Sequence, residues 1–469
     1  MRNENELRKY QDRVATELYE NNEKLCVIRP GGGKTVAALT AFRDLKRDGV
    51  VRQALVIAPK RVASKVWPDE LGAWAHLHGL TYMLLTGGPL ERTKRLNTAL
   101  VPGQTDLIIV GLDNIKWMIE RLDTLSIEAP IFDLLIIDEI SKLRNPTGVR
   151  AKLLSKNARR WKMRWGLSGT LRPNGAQDLF MPVRVITQGG LWGKSFYTWR
   201  QERFYPTDFQ GYNWAPKPGE EDRLNAEIAP YIVTLKENEY PQLPALSVQL
   251  DRVTLPPAAR DAYEMMQKKL FATVGGYKSV AAANAAVASG KLAQMANGFV
   301  YDLEDGGVGM PEAHGLHDEK REWLEDVIEQ ADAPTLLIYE YQHDLRMLQE
   351  LIPDLPYLGA GVSDAKASQH IMKWNRGFYP FMGLHPASGG HGLNLQHGGC
   401  DMAWIAPCWS PEYWEQTIAR LHRSGQKQPV IVRVCVADRT VDEMKLNRVH
   451  YKMTGQEAFE KYMSSIQRA

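Results

Sequence analysis

The sequence predicts an α/β protein of two doubly wound, parallel-sheet lobes, with a helical insertion on the first. Two observations predict this. Short apolar runs alternate with helical patterns along the chain, the order expected of parallel strands joined by helices. The alternation occurs twice, over residues 1–189 and again over 318–469, and the stretch between has a different character. Residues 190–301 are rich in aromatics, proline breaks and alanine, and 302–317 reads as a glycine-bearing linker.

A chain of 469 residues has room for these cores. Its 44% hydrophobic and 24% charged residues are those of an ordinary globular protein. A formal net charge of +3 and a pI near 8.4 permit an anionic partner without demanding one. The four cysteines, Cys26, Cys400, Cys408 and Cys435, are scattered, which argues against a disulfide scaffold and fits a reducing compartment. No apolar run reaches the roughly 18 residues of a membrane span, and residues 1–6 lack the apolar core of a signal peptide. A cytoplasmic protein with no membrane partner is expected.

In the first lobe, residues 7–19 predict a helix carrying Gln11, whose amide can read an adenine edge. The run Leu25-Cys26-Val27-Ile28 predicts a strand, and Arg29-Pro30-Gly31-Gly32-Gly33-Lys34-Thr35 follows it directly. A helical pattern comes next, so the layout is that of a phosphate-binding loop. Gly31, Gly32 and Gly33 let backbone N–H groups close on phosphate oxygens, Lys34 reaches the β- and γ-phosphates, and Thr35 can ligate Mg²⁺. The full loop pattern has a further glycine where this chain has Ile28. Ala54 to Pro59 predicts a buried strand, and Lys60, Arg61 and Lys65 follow at its carboxyl end, where ligands of open α/β sheets bind. That basic cluster suits a phosphate backbone, or else a solvated helix start. After a strand over 106–110, the run Phe132-Asp133-Leu134-Leu135-Ile136-Ile137 delivers Asp138 and Glu139 at its end. Asp138 is placed to hold Mg²⁺ and Glu139 to activate water. A further short strand ends in Ser168-Gly169-Thr170.

Aromatics crowd between 192 and 214, among them Trp192, Phe196, Trp199, Phe204, Phe209 and Tyr212. They read first as the core of a small helical subdomain, and second as a stacking platform for bases. Helices are expected over 259–271 and 280–296. In the second lobe, helices are expected over 318–330 and 344–351. Strands are expected over 335–339, 378–384, 402–405 and 430–436. This lobe has no phosphate loop of its own, which makes sense if it closes over a nucleotide held by the first. Arg420 and Arg423, three apart, are expected on one helix face, aimed at one phosphate. His385, His391, His397 and Cys400 are metal-ligand types, but without close pairs they make a weak zinc candidate.

Gln11, the glycine loop, Asp138-Glu139 and Ser168-Gly169-Thr170, in this order, resemble the first lobe of a superfamily-two helicase of the Swi/Snf branch. The segment from Phe132 to Asn145 is similar to that family's motif two, and Trp67, Glu70 and Trp74 sit as in its motif Ia region. Ser388-Gly389-Gly390-His391-Gly392-Leu393-Asn394-Leu395 resembles motif five, and Glu415 to Gln426 closely resembles motif six. There are departures: Ser141 stands where the family has histidine, Leu171 where it has proline, Ala406 and Cys408 where it has acidic residues, and His385-Pro386 at the start of motif five. The resemblance implies two RecA-like lobes, ATP and Mg²⁺ as cofactors, and a DNA-dependent ATPase that moves on double-stranded DNA without strong sequence preference. Gly392 would join the nucleotide site, and Arg420 and Arg423 would act from the second lobe. Lys60, Arg61, Ser168, Thr170, Gly389 and Gly390 would face the nucleic acid. A strand-separating helicase and an ATP-switched binding module are the alternatives. The chain is close to the minimal motor, a form the family has in phages and bacterial mobile elements. A nuclease or replication factor could be a partner protein, and a phage-encoded copy would work in the host cytoplasm.

Overall fold

The computed structural model describes residues 1–124, 132–207, 214–240, 242–274, 281–301, 313–389 and 393–449. The chain divides into two compact units at 241/242.

The first unit runs α1 (Lys9–Glu20), β1 (Glu23–Val27), α2 (Lys34–Arg47), β2 (Ala54–Ala58), α3 (Trp67–Ala73), β3 (Tyr82–Leu85), α4 (Pro89–Ala99) and β4 (Leu107–Gly111). It continues through α5 (Ile115–Thr124), β5 (Phe132–Asp138), α6 (Val149–Asn157), β6 (Trp161–Ser168) and α7 (Phe180–Thr187). Then come α8 (Phe196–Arg203), β7 (Phe204–Pro206), β8 (Trp214–Pro216), α9 (Glu220–Ile228) and β9 (Ile232–Thr234). Seven strands form one sheet in the order β3-β4-β2-β5-β6-β1-β9, and every pair is parallel. Strands buried on both faces need mostly apolar residues, which is why β2 and β4 are continuous apolar runs and β5 has an apolar centre, Leu134–Ile137, between the buried Asp133 and Asp138. One core lies on the side of α1, α2 and α3, and another on the side of α5, α6 and α7. Gly166 permits this packing at the centre of β6, because a Cβ there would meet Ile140 and Leu25 at 2.6 and 2.8 Å. Trp192, Trp199 and Phe204 are buried in the second of these cores, whereas Tyr197 and Tyr205 are exposed. Most of the described aromatic cluster therefore packs; Phe209 and Tyr212 lie outside the described residues.

The second unit runs β10 (Leu246–Val253), α10 (Pro257–Val274), α11 (Ala281–Ala296), β11 (Phe299–Tyr301), β12 (Ala313–Gly315), α12 (Glu319–Glu329), β13 (Thr335–Ile338) and α13 (Gln342–Leu351). It continues through β14 (Tyr357–Leu358), α14 (Asp364–Asn375), β15 (Phe381–Leu384), α15 (Pro386–Gly389), β16 (Asp401–Trp404), α16 (Pro411–Ile418), β17 (Val430–Ala437) and α17 (Val441–Val449). Its sheet has the order β10-β17-β16-β13-β15-β14, again all parallel. Within 190–301, β9 returns to the first sheet and β10 opens the second. Of the stretch 302–317, residues 302–312 lie outside the described residues, and β12 pairs antiparallel with β11. The strand expected over 378–384 begins only at Phe381, since Gly377 takes a positive φ of 76° and Phe378 N bonds back to Lys373 O. No helix among the described residues is long and apolar enough to cross a membrane.

A buried polar network ties α11, α12, α13 and α17 together. The Lys320 ammonium donates to Asp442 Oδ2 at 2.6 Å and to Asn297 Oδ1 at 2.8 Å. Asn297 Nδ2 donates to Asp344 Oδ1 at 3.3 Å, and Asp344 Oδ2 accepts from the backbone of Glu340 and Tyr341. Burial lifts the Asp344 carboxyl to about 6, against an ordinary value of 3.8. The folded group binds its proton more tightly than the unfolded one. Its contribution to stability is therefore full below the unfolded value and is lost as pH rises through 6. Relative to an Asp344→Asn variant, the protein should lose about 2 kcal/mol of unfolding free energy between pH 4 and 7. Denaturant titrations of both proteins check this, and a pH-independent difference would contradict it.

Candidate active site

Three segments meet at one edge of the first sheet because their strands are neighbours in register. Val27 of β1 pairs with Ser168 of β6, and Asp138 of β5 pairs with Leu167. The phosphate loop, the Asp138-Glu139 pair and Ser168-Gly169-Thr170 thus leave the sheet side by side, at the carboxyl ends where α/β proteins bind ligands.

The loop owes its path to Gly31 and Gly33, with φ of 81° and 78°. A Cβ on Gly33 would stand 2.0 Å from Gln11 Nε2, so the Gln11 amide lies directly against the loop. Its Oε1 accepts from Arg8 N at 2.9 Å, which fixes the amide's orientation. A Cβ on Gly32 would stand 2.3 Å from Ile28 Cγ2. This explains the missing glycine at position 28: the Ile28 side chain fills the space that Gly32 leaves. The Lys34 ammonium donates to Ile28 O at 2.8 Å, and α2 begins at Lys34, its first-turn N–H groups facing the loop. Arg29 N donates to the Tyr240 hydroxyl at 3.3 Å, and the Arg29 guanidinium lies 4.6 Å from the centre of the Tyr240 ring.

Asp138 is the last residue of β5 and is buried. Burial pushes its carboxyl up from the ordinary range, while the Lys34 charge, the Trp67 indole N–H and the Glu139 N–H pull it back. The indole donates to Oδ2 at 2.9 Å and Glu139 N to Oδ1 at 3.1 Å. Glu139 itself adopts φ 56° and ψ 51°, a left-handed conformation that costs a non-glycine residue about 1–3 kcal/mol and turns the chain sharply out of the strand. Ser168 is buried: its carbonyl accepts from Ile28 N, and its hydroxyl donates to Thr170 O at 2.6 Å. Gly169 lets this segment touch the loop, since a Cβ there would stand 3.2 Å from Pro30 Cδ.

The donor set fits a hard cation, since Thr35 offers a hydroxyl and Asp138 a carboxylate already oriented by two hydrogen bonds. Trp67 is the residue that motif reading alone leaves without a role. It is fully buried on α3, and its indole sets the Asp138 rotamer. Loss of an outer partner of this kind costs about 10- to 100-fold in metal affinity. Trp67→Phe is expected to raise by that factor the Mg²⁺ concentration at which a fluorescent ATP analogue is half-bound. A titration that overlays the wild type would contradict this role.

Lys60 and Arg61 follow the carboxyl end of β2, on the same sheet edge, as the sequence predicts. In the second unit, Gly389 ends α15, and Gly390, His391 and Gly392 lie outside the described residues. Arg420 and Arg423 correct one expectation. Helix α16 ends at Ile418, so the two arginines do not share a helix face. Gly425, at φ 100°, reverses the chain, and the Gln426 amide bonds the carbonyls of Gln396 and Gly399, pinning the turn. Both guanidiniums nevertheless converge, because Arg420 Nη1 and Arg423 Nη1 donate to the same Leu393 carbonyl at 3.3 and 3.1 Å.

A family model described as the SNF2-related domain matches residues 12–297, more than half of the chain. The chain belongs to the SNF2-related family. Membership makes it a Swi/Snf-like, ATP-binding hydrolase of the helicase class. A relative named p41, of Acyrthosiphon pisum secondary endosymbiont phage 1, is 30% identical, with 95% of this chain and 96% of the relative aligned. The Arabidopsis thaliana protein named "Probable ATP-dependent DNA helicase CHR23" is 25% identical over 93% of this chain. The SNF2-related chain described here spans only 41% of that plant protein's length. A solved structure of the Sulfolobus solfataricus SWI2/SNF2 ATPase core in complex with dsDNA aligns over 95% of this chain and 91% of its own, at 21% identity and a TM-score of 0.44.

Proposed function

We propose that the protein is an ATP-driven motor that moves along double-stranded DNA by its phosphate backbone. The observation that carries the reading is the convergence of three groups on one sheet edge: the phosphate loop, the buried Asp138 with strained Glu139, and the basic start after β2. In this reading Gln11 selects adenine, and the loop N–H groups with Lys34 hold the triphosphate. Thr35 and Asp138 hold Mg²⁺, which when bound neutralises charge on the transferred phosphoryl group. Glu139 orients the attacking water and takes its proton. Arg420 and Arg423 stabilise charge that develops in transfer, a task suited to the guanidinium fork. Hydrolysis follows DNA binding because the two are coupled through one conformational change. The name of the plant relative supports a DNA motor.

Displacement of a triplex-forming strand from duplex DNA tests the reading. ATP-dependent displacement, with a forked duplex left unseparated, is expected. Separation of the fork would favour a true helicase, and neither event would leave an ATP-switched binding module.

A further inference from the structure

No acidic residue stands between Glu139 and Asp178, although basic residues recur throughout that stretch. The fold supplies carboxylates to several of them from elsewhere: Arg150 pairs with Asp113, Arg160 with Asp123 and Lys162 with Asp133. Lys152, Lys156 and Arg159 are different. All three are exposed, and none has a carboxylate partner among the described residues. Ala151 and Leu154 bury the opposite side of α6 in the core shared with α5 and α7. Lys152 and Lys156 are about 6 Å apart along the helix axis, and Arg159 continues the row into the turn before β6. The row ends at the amino end of β6, and eight residues of strand then separate it from Ser168, a distance of about 25 Å. Its Arg159 end therefore lies away from the edge where Lys60, Arg61 and the phosphate loop sit, and Lys152 lies about 10 Å nearer to that edge.

We infer that this face of α6 is a second docking surface for duplex DNA, separate from the contacts at the carboxyl edge of the sheet. A row of cations with no carboxylate partner among the described residues complements a backbone carrying one charge per about 3.4 Å on each strand, and such contacts need no base readout. The inference rests on the reading of the protein as a duplex-DNA motor. An anchor apart from the track would hold the DNA while the track contacts release.

The test is duplex binding by fluorescence anisotropy across a salt series, for the full chain and for Lys152→Ala/Lys156→Ala/Arg159→Ala. Losing three phosphate contacts should reduce the slope of log affinity against log salt by about 2.7. Binding of a fluorescent ATP analogue and DNA-free ATP turnover should stay at wild-type values. The loss should add to that of Lys60→Ala/Arg61→Ala, as for independent sites. An unchanged slope in the triple variant, or strong non-additivity, overturns the second surface while leaving the motor reading intact. Failure of the wild type to bind duplex in a salt-dependent way overturns both.

Discussion

Glu139→Gln is expected to abolish DNA-stimulated ATP turnover, lowering kcat by about 10²- to 10⁴-fold, the usual contribution of a positioned general base. The amide keeps the size of the side chain but cannot take a proton from water. The backbone geometry argues that this residue is placed for chemistry. A glutamate at φ 56° is strained, yet the sheet holds it there directly after the buried Asp138. Its own N–H bonds Asp138 Oδ1, so the pair is oriented as a unit. Affinity for a fluorescent ATP analogue should be retained, because the glycine loop, Lys34 and Thr35 are untouched. Steady-state turnover with equilibrium binding separates the two effects. A variant that turns over like the wild type would remove Glu139 from the mechanism and return the ATP-switch reading.

Lys320→Met is expected to destabilise the second unit by about 3–5 kcal/mol. Lys320 and Asp442 are both fully buried at 2.6 Å. Asp442 Oδ1 has no hydrogen-bond partner among the described residues, and Oδ2 would keep only the Ala437 N–H at 3.2 Å, so removing the ammonium strands a charge that water cannot reach. Asn297 Oδ1 loses its donor as well. The double variant Lys320→Met/Asp442→Leu should recover most of the loss, since replacing both partners with apolar groups is often close to neutral. Denaturant unfolding of the wild type, Lys320→Met, Asp442→Leu and the double variant measures the coupling. Equal destabilisation by the single and double variants would show that packing, not the stranded charge, sets the cost.

Much of the fold was legible because a strand buried on both faces is apolar through most of its length. The runs at 54–58 and 132–138 announce themselves, and both lie in the parallel sheet as expected. The strands β9 and β10 were not legible as such. The first has three residues, and the second, Leu246–Val253, alternates polar and apolar with its residues exposed or half-buried, so neither makes an apolar run. The phosphate loop and Asp138-Glu139 were legible because their chemistry demands residue types in a fixed order. What surrounds them was not. The Trp67 bond to Asp138 joins residues 71 apart, and the Arg29 contact with Tyr240 joins residues 211 apart. Local pattern carries no signal for either. The arginine pair was misread in its geometry because helix propensity continues past Ile418, while the backbone there tightens to i−3 bonds, Arg420 N to Thr417 O and Leu421 N to Ile418 O, and the Gln426 amide holds the following turn through carbonyls remote in sequence. Convergence on the Leu393 carbonyl keeps the two guanidiniums together all the same.

The most direct test of the motor is ATP turnover measured with no nucleic acid, single-stranded DNA, duplex DNA and RNA, with Glu139→Gln as the control. Strong stimulation by duplex DNA, absent in the variant, is the predicted result. Stimulation by single strands or RNA alone, or turnover that ignores nucleic acid, would contradict a duplex-DNA motor.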